Sequence, residues 1–399
     1  MISNDSKVIF TVCNLAYLPK ALALAESVML HEQKKIKIYL FDKKIQCEFP
    51  TDIAEIIWIE DLSIENLYTY AFKYDITEFS TSLKPYISLE LLKDYESVVF
   101  LDPDTFLFNS IESIWNTLYE ESFILTPHFI TPKEDSDVGM MRFGSFNLGF
   151  FAVSNEDESI SFLNWWNERC LNLCYFETQF GLSTDQKWVS IAPCFFPKLY
   201  ISFDLGNNVA FWNAHERKIS KDENNNYLVN NEFKLNFFHF SSFDEENPEL
   251  LSKRPFSDQN MKREDLLELS LIYLSVLKKY KLPITKTPYG FDYMSDGSYI
   301  SPTLRKAYAS VYESFPKDHN PFSDEIVKNF VKKNFLVESK KQYISRGFKD
   351  LEKNMNKLVF INKILKAILY IVGPNRFMNF SRLLVFLSSY RLNKELWKL

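Results

Sequence analysis

The stretch Ser97–Phe108, SVVFLDPDTFLF, decides how the rest of the chain is read. Its first five residues are dominated by β-branched, aromatic and aliphatic side chains, which read as a strand buried on both faces. That strand runs directly into Asp102-Pro103-Asp104, and a second apolar run, TFLF, follows at once. Toward the N-terminus, residues 7–13 (KVIFTVC), 36–41 (IKIYLF) and 55–59 (EIIWI) read as further strands. Residues 20–32 and 82–95 have helical composition, the second tolerating Pro85 near its start. Strands alternating with helices predict an α/β sandwich around a mostly parallel sheet. In such sheets ligands gather beyond the carboxyl ends of the strands, and Asp102 and Asp104 stand at such an end.

Composition narrows the function classes. With 46% hydrophobic residues in 399, the chain can bury a sizeable core, so disorder is excluded over most of its length. Only 9 glycines are present, and neither a glycine-rich dinucleotide fingerprint nor a phosphate-loop motif occurs. The formal net charge of -6 argues against a nucleic-acid partner. The five cysteines, Cys13, Cys47, Cys170, Cys174 and Cys194, contain no C-x-x-C, which reads as a reduced, cytoplasmic chain. The N-terminal residues have no basic region followed by a long apolar run, so a signal peptide is not expected there.

Downstream, residues 145–240 are irregular and strand-rich, and from 258 the pattern turns helical. Residues 323–350 read as a polar helix. Lys340–Leu399 holds 13 Lys/Arg against 3 Asp/Glu, a net of +10 that leaves the rest of the chain at -16. Within it, NKLVFINKILKAILYIV (356–372) contains no run of 18 uncharged apolar residues, so no membrane-spanning helix is expected. On a helix, Leu358, Ile361, Leu365 and Leu369 fall on one face. Such a helix either packs on the protein or lies in the plane of an anionic membrane surface, and the basic charge favours the membrane. The expected organisation is a catalytic domain over 1–257, a helical accessory region over 258–339 and a basic amphipathic tail over 340–399.

Asp102 and Asp104 are candidate ligands for one hard divalent cation bridging to a diphosphate. A second D-x-D, Asp135–Asp137, sits in the polar stretch KEDSD and reads as a solvated loop. His239, flanked by aromatics in FFHFSSF, reads either as a core histidine or as a third ligand; an imidazole beside carboxylates favours Mn²⁺ over Mg²⁺. Asp185-Gln186 is either a helix cap or a polar pair inside a site. Trp165-Trp166 is most simply core packing.

Taken in order, TVCNLAYLPKALALAES, TSLKPY, VVFLDPDTFLF, GSFNLGFF, STDQKW, NVAFWNAHER and FFHFSSF resemble the GT-A glycosyltransferases. The resemblance is greatest to the family 8 retaining glycosyltransferases and their bacterial polysaccharide-cluster relatives, over roughly residues 7–255. It implies a GT-A sandwich with a C-terminal helical extension, a metal held by Asp102, Asp104 and His239, and a UDP-sugar donor with Mn²⁺ or Mg²⁺. It also implies that the loop with Asn14 and Tyr17 holds the nucleotide base and that Lys84 contacts the donor. Asn147 would face the donor sugar, Asp185 and Gln186 would lie below its ring, and Lys253 would contact the diphosphate. The stretched HFSSFDEENPELLSKRP and the insert NVAFWNAHER mark a divergent branch. The expected activity is hexose transfer to a glycan acceptor, lipid-linked at the inner face of a cytoplasmic membrane, in bacterial surface polysaccharide synthesis. Retention with Gln186 below the ring is favoured over inversion with Asp185 as base. A non-catalytic carbohydrate-binding protein is the rival class. A sugar nucleotidyltransferase would show a glycine-rich basic loop, whereas TVCNLAYLPKA has no glycine and only Lys20.

Overall fold

The computed structural model describes residues 6–50, 52–253, 263–316, 319–338 and 355–399. By contact the chain divides into two compact units, Met1–Ile64 with Ile76–Gly290, and Glu65–Asp75 with Phe291–Leu399.

The first unit is built on a seven-stranded sheet. Its strands are β1 (Lys7–Cys13), β2 (Ile36–Leu40), β3 (Ala54–Trp58), β4 (Ser97–Leu101), β6 (Phe123–Pro127), β7 (Phe146–Ser154) and β10 (Leu199–Ile201), in the order β10-β6-β7-β4-β1-β2-β3. Every pairing is parallel except those of β7, which runs against both β4 and β6. The reversal places the start of β7, Phe146–Gly149, at the same sheet edge as the end of β4. On one face Phe151 stacks between Phe100 at 5.1 Å and Phe123 at 5.6 Å.

Helix α1 (Leu18–Glu32) starts on Pro19, whose fixed φ suits the first helical turn, and stops where Gln33 turns left-handed (φ 53°). Its Ala/Leu-rich sequence needs little side-chain ordering to stay helical, and it buries Leu18, Leu22, Ala25 and Val28 in the core. Ser27 Oγ of this helix accepts the Leu107 N–H at 3.1 Å, tying down the short strand β5 (Thr105–Leu107). The helix expected over 82–95 is α4 (Lys84–Leu91), with Pro85 in its first turn, and a separate helix, α3 (Ile76–Ser82), comes before it. The stretch KEDSD, expected as a loop, opens the helix α6 (Glu134–Phe143) instead. Acidic residues favour a helix N-terminus, and Asp137 Oδ1 accepts the Lys133 N–H at 3.3 Å.

Past β7 come α7 (Asp157–Leu173), β8 (Phe176–Glu177), β9 (Leu182–Ser183), α8 (Gln186–Val189) and the small meander β12–β14 (Ile219–Lys221, Tyr227–Val229, Phe233–Lys234). A second, three-stranded sheet sets β15 (Phe237–His239) between β11 (Val209–Ala210) and β5. Helix α9 (Glu264–Lys279) supports it, with Tyr273 stacked on Phe240 at 4.1 Å and an interplanar angle of 6°.

In the second unit, α2 (Leu67–Lys73) and α10 (Pro302–Val311) are held by the buried Arg305, which donates to the carbonyls of Ala71, Phe72, Tyr74 and Phe291 at 2.7–3.0 Å. The polar helix expected over 323–350 is α11 (Glu325–Lys333); it ends before Phe335, which is left-handed at φ 58°, and residues 339–350 lie outside the described residues. Two further helices, α12 (Met355–Val372) and α13 (Pro374–Leu387), join through Gly373. Among the described residues no helix is long and apolar enough to cross a membrane. Both nonetheless leave large apolar side chains in solvent, including Phe360, Ile361, Tyr370, Ile371, Leu384 and Phe386.

Candidate active site

The strand β4 ends at Leu101, and the Asp102 N–H donates to Gly149 O at 2.8 Å, so the chain leaves the sheet beside the start of β7. A turn follows, closed by the Thr105 N–H on Asp102 O at 3.0 Å, and it brings Asp104 back against β5. Antiparallel pairing of β5 with β15 sets His239 opposite Thr105, and the Phe240 N–H donates to Asp104 O at 2.7 Å. His239 Nε2 therefore lies 3.1 Å from Asp104 Oδ1 and 3.7 Å from Asp102 Oδ2. One donor atom from each of Asp102, Asp104 and His239 falls within 4.8 Å of the others. Two carboxylate oxygens and one imidazole nitrogen converging from separate segments fit a divalent cation of the Mn²⁺ type.

Lysines balance the acidic charge. Lys84, buried at 3% exposure, reaches Asp185 Oδ2 at 3.2 Å, Asp102 Oδ1 at 3.4 Å and Leu148 O at 2.9 Å. Burial works against its charge, but Asp102 and Asp185 together hold it above the ordinary lysine value. Burial pushes the Asp102 carboxyl up, against the pull of Lys84 and His239. Asp104 is the more buried of the two, yet Lys20 and His239 hold it well below the usual carboxylate range. Lys20 Nζ is 3.6 Å from Asp104 Oδ2 and 4.3 Å from the centre of the Tyr17 ring.

Asp185 is 2% exposed at the start of α8, and its side chain makes no cap to that helix. The indole N–H of the fully buried Trp166 holds its backbone carbonyl at 3.1 Å, so this tryptophan both packs and positions. Gln186 is gripped at both ends of its amide: Oε1 accepts the Leu148 N–H at 3.2 Å, and Nε2 donates to Phe143 O at 3.0 Å. Asn147 Oδ1 accepts from the Gly149 N–H at 3.1 Å and from Asn208 Nδ2 at 3.0 Å. Asn14 Oδ1 accepts the Tyr17 N–H at 3.2 Å and shapes the turn that leaves Tyr17 exposed. Lys253 stands apart: its ammonium pairs with Asp244 at 3.4 Å, and residues 254–262 lie outside the described residues.

Residues 8–156 match the family model described as glycosyl transferase family 8. A glycosyltransferase domain similar to that family occupies this part of the chain. The seven-stranded order and the carboxylates at the end of β4 agree with the α/β sandwich expected from the sequence. An uncharacterized protein of Bacillus subtilis (strain 168), YfnF, is 24% identical over 246 residues, 58% of this chain and 80% of its own length. Among solved structures, the galactosyltransferase LgtC in complex with donor and acceptor sugar analogues matches at 14% identity and a TM-score of 0.41, covering 69% of this chain and 97% of that one. The glycosyltransferase GlyE of Streptococcus pneumoniae TIGR4 matches at 15% identity and a TM-score of 0.40, covering 73% and 67%.

The glycosyltransferase site also contains residues the sequence did not single out: Lys20 as the partner of Asp104, and Asn208, Trp212 and His128 beyond Asn147. Trp212 meets His239 edge-on at 5.1 Å and His128 at 5.8 Å. The unusual NVAFWNAHER segment was the available signal, since it places asparagine and tryptophan inside an apolar run.

Proposed function

We propose that this glycosyltransferase moves a hexose from a UDP-sugar to a glycan acceptor, requires a divalent cation, and retains the anomeric configuration. The observation that carries this reading is the convergence of Asp102, Asp104 and His239 beside the buried Lys84. A cation bound there would act as a Lewis acid on the departing diphosphate. Lys84 supplies fixed positive charge on the same side, set before any substrate arrives. Gln186 Oε1 keeps a lone pair after accepting from Leu148, so it is a polar, weakly nucleophilic group held in place. Asp185 is poorly suited as the base of an inverting reaction, because its carboxylate is buried and ion-paired to Lys84 at 3.2 Å.

The test is nucleotide release from a panel of UDP-, GDP- and CMP-sugars, with Mn²⁺ or EDTA, by the full chain and by Asp104→Ala. One UDP-sugar should turn over, with the rate falling at least about a thousandfold in EDTA and in the variant. Calorimetry that shows no metal-dependent nucleotide binding, together with no turnover, would replace this reading with the carbohydrate-binding one.

The acceptor is proposed to be a lipid-linked glycan at the inner face of the cytoplasmic membrane, in the assembly of a bacterial surface polysaccharide. Support comes from α12 and α13, where Phe360 is 64%, Tyr370 91% and Ile371 78% exposed. These helices carry Lys363, Lys366, Arg376 and Arg382 and no acidic residue. Apolar side chains that enter the acyl boundary beside lysines and arginines suit an anionic bilayer. The full chain should sediment with vesicles containing phosphatidylglycerol but not with pure phosphatidylcholine, and added salt should weaken binding. The double substitution Ile371→Glu and Leu384→Glu should reduce vesicle binding about tenfold or more without altering donor hydrolysis. Equal binding to neutral vesicles, or none to anionic ones, overturns this placement.

A further inference from the structure

Several buried polar atoms at and beside the metal cluster have no hydrogen-bond partner among the described residues, His239 Nδ1, Thr105 Oγ1 and Asp185 Oδ2 among them, and two more, Trp212 Nε1 and Asn208 Oδ1, belong to one loop next to it. An indole N–H or an amide oxygen left unpaired in the interior is costly, so each calls for a partner from outside the chain. The loop that carries them is tightly held. Asn213 Oδ1 accepts the Ala210 N–H at 2.8 Å, and its Nδ2 donates to Asn208 O and His128 O, both at 3.0 Å. Parallel pairing sets Ala210 opposite His239, two residues before Trp212. The amide of Asn208 has one consistent orientation: its Nδ2 donates to Asn147 Oδ1 and to Thr126 Oγ1, both at 3.0 Å, which turns Oδ1 away from them.

One unpaired group donates and the other accepts. A diphosphate presents only acceptors at neutral pH, whereas a hydroxyl presents both, so the pair matches a polyol better than a phosphate. Its position agrees. The cluster of Asp102 and Asp104 stands at the end of β4; the β1 loop with Tyr17 and Lys20 lies on one side of it in the sheet, and Thr126 and Asn147, at the ends of β6 and β7, lie on the other. A sugar nucleotide with its diphosphate at the cluster places its two ends on those two sides. We propose that Asn208 and Trp212 form a subsite that reads hydroxyl groups of the transferred sugar, and that they set donor specificity. This rests on the sugar-nucleotide reading above.

The test compares UDP with UDP-glucose and UDP-galactose by calorimetry in Mn²⁺, using the full chain, Trp212→Phe and Asn208→Gly. Phenylalanine keeps an apolar ring and removes only the N–H. Glycine accepts the left-handed backbone of residue 208 (φ 52°) and removes the amide. Each variant should bind the preferred UDP-sugar about tenfold more weakly, bind UDP within about threefold of the wild type, and discriminate less between the two epimers. Equal losses for UDP and UDP-sugar, or no loss for either, overturn the subsite. A wild-type chain that binds UDP but gains nothing from either sugar overturns the subsite and leaves nucleotide binding standing. Binding of neither ligand overturns the sugar-nucleotide reading itself.

Discussion

Lys84→Met is expected to destabilise the protein by about 3–5 kcal/mol and to abolish transfer, because it leaves the Asp102 and Asp185 carboxylates without their ammonium. Both effects arise from one feature, a single buried cation placed between two acids that come from different elements. Urea unfolding at pH 7 measures the first effect and donor turnover the second. The double variant Lys84→Met with Asp185→Asn separates them. Removing the second charge should recover a large part of the stability, while turnover stays lost because the buried ammonium beside Asp102 is gone. A single variant as stable as wild type would show that the pairing does not hold the site together.

Gly149→Ala is the second large expectation. A Cβ at this position would lie 2.3 Å from His239 Cε1, 2.6 Å from His239 Nδ1 and 2.8 Å from Asn147 Oδ1. These atoms belong to a buried imidazole and a hydrogen-bonded amide, so neither can move aside cheaply. The methyl group should displace His239 from Asp104 and weaken Mn²⁺ binding at least about a hundredfold. Direct titration of Mn²⁺ into the metal-free protein measures this without any substrate. The second glycine of GSFNLGFF is thus required by close approach of the histidine ring. Unaltered metal affinity would mean that the imidazole is not a ligand.

The fold was legible because its signals are local. SVVFL and KVIFTVC are short, dominated by apolar residues and flanked by helical composition, which suffices to read a buried parallel sheet. The reversal of β7 was not legible, since FNLGFFAVS looks alike in either direction and only its neighbours set its polarity. Within the site, Asp102 and Asp104 could be read from their place at the end of a strand. Lys20 could not: its meeting with Asp104 depends on the angle at which α1 leaves β1. Asn208 and Trp212 were hidden for a different reason, since nothing in NVAFWNAHER distinguishes a tryptophan that packs from one whose N–H is left unpaired. The reading of KEDSD as a loop failed because polarity marks solvent exposure, and an exposed helix is as polar as a loop.

The pairing of β5 with β15 has a consequence for how the chain reaches its native state. Asp104 and His239 are separated by 135 positions, so the cluster assembles only after a contact of long sequence separation has closed. A cation that binds the assembled cluster and not the open chain stabilises the folded protein by mass action, in proportion to the logarithm of its free concentration. Manganese added during refolding therefore reports on the closure of that pairing, and an intermediate that has formed β1, β2 and β4 but not β15 would be blind to the ion.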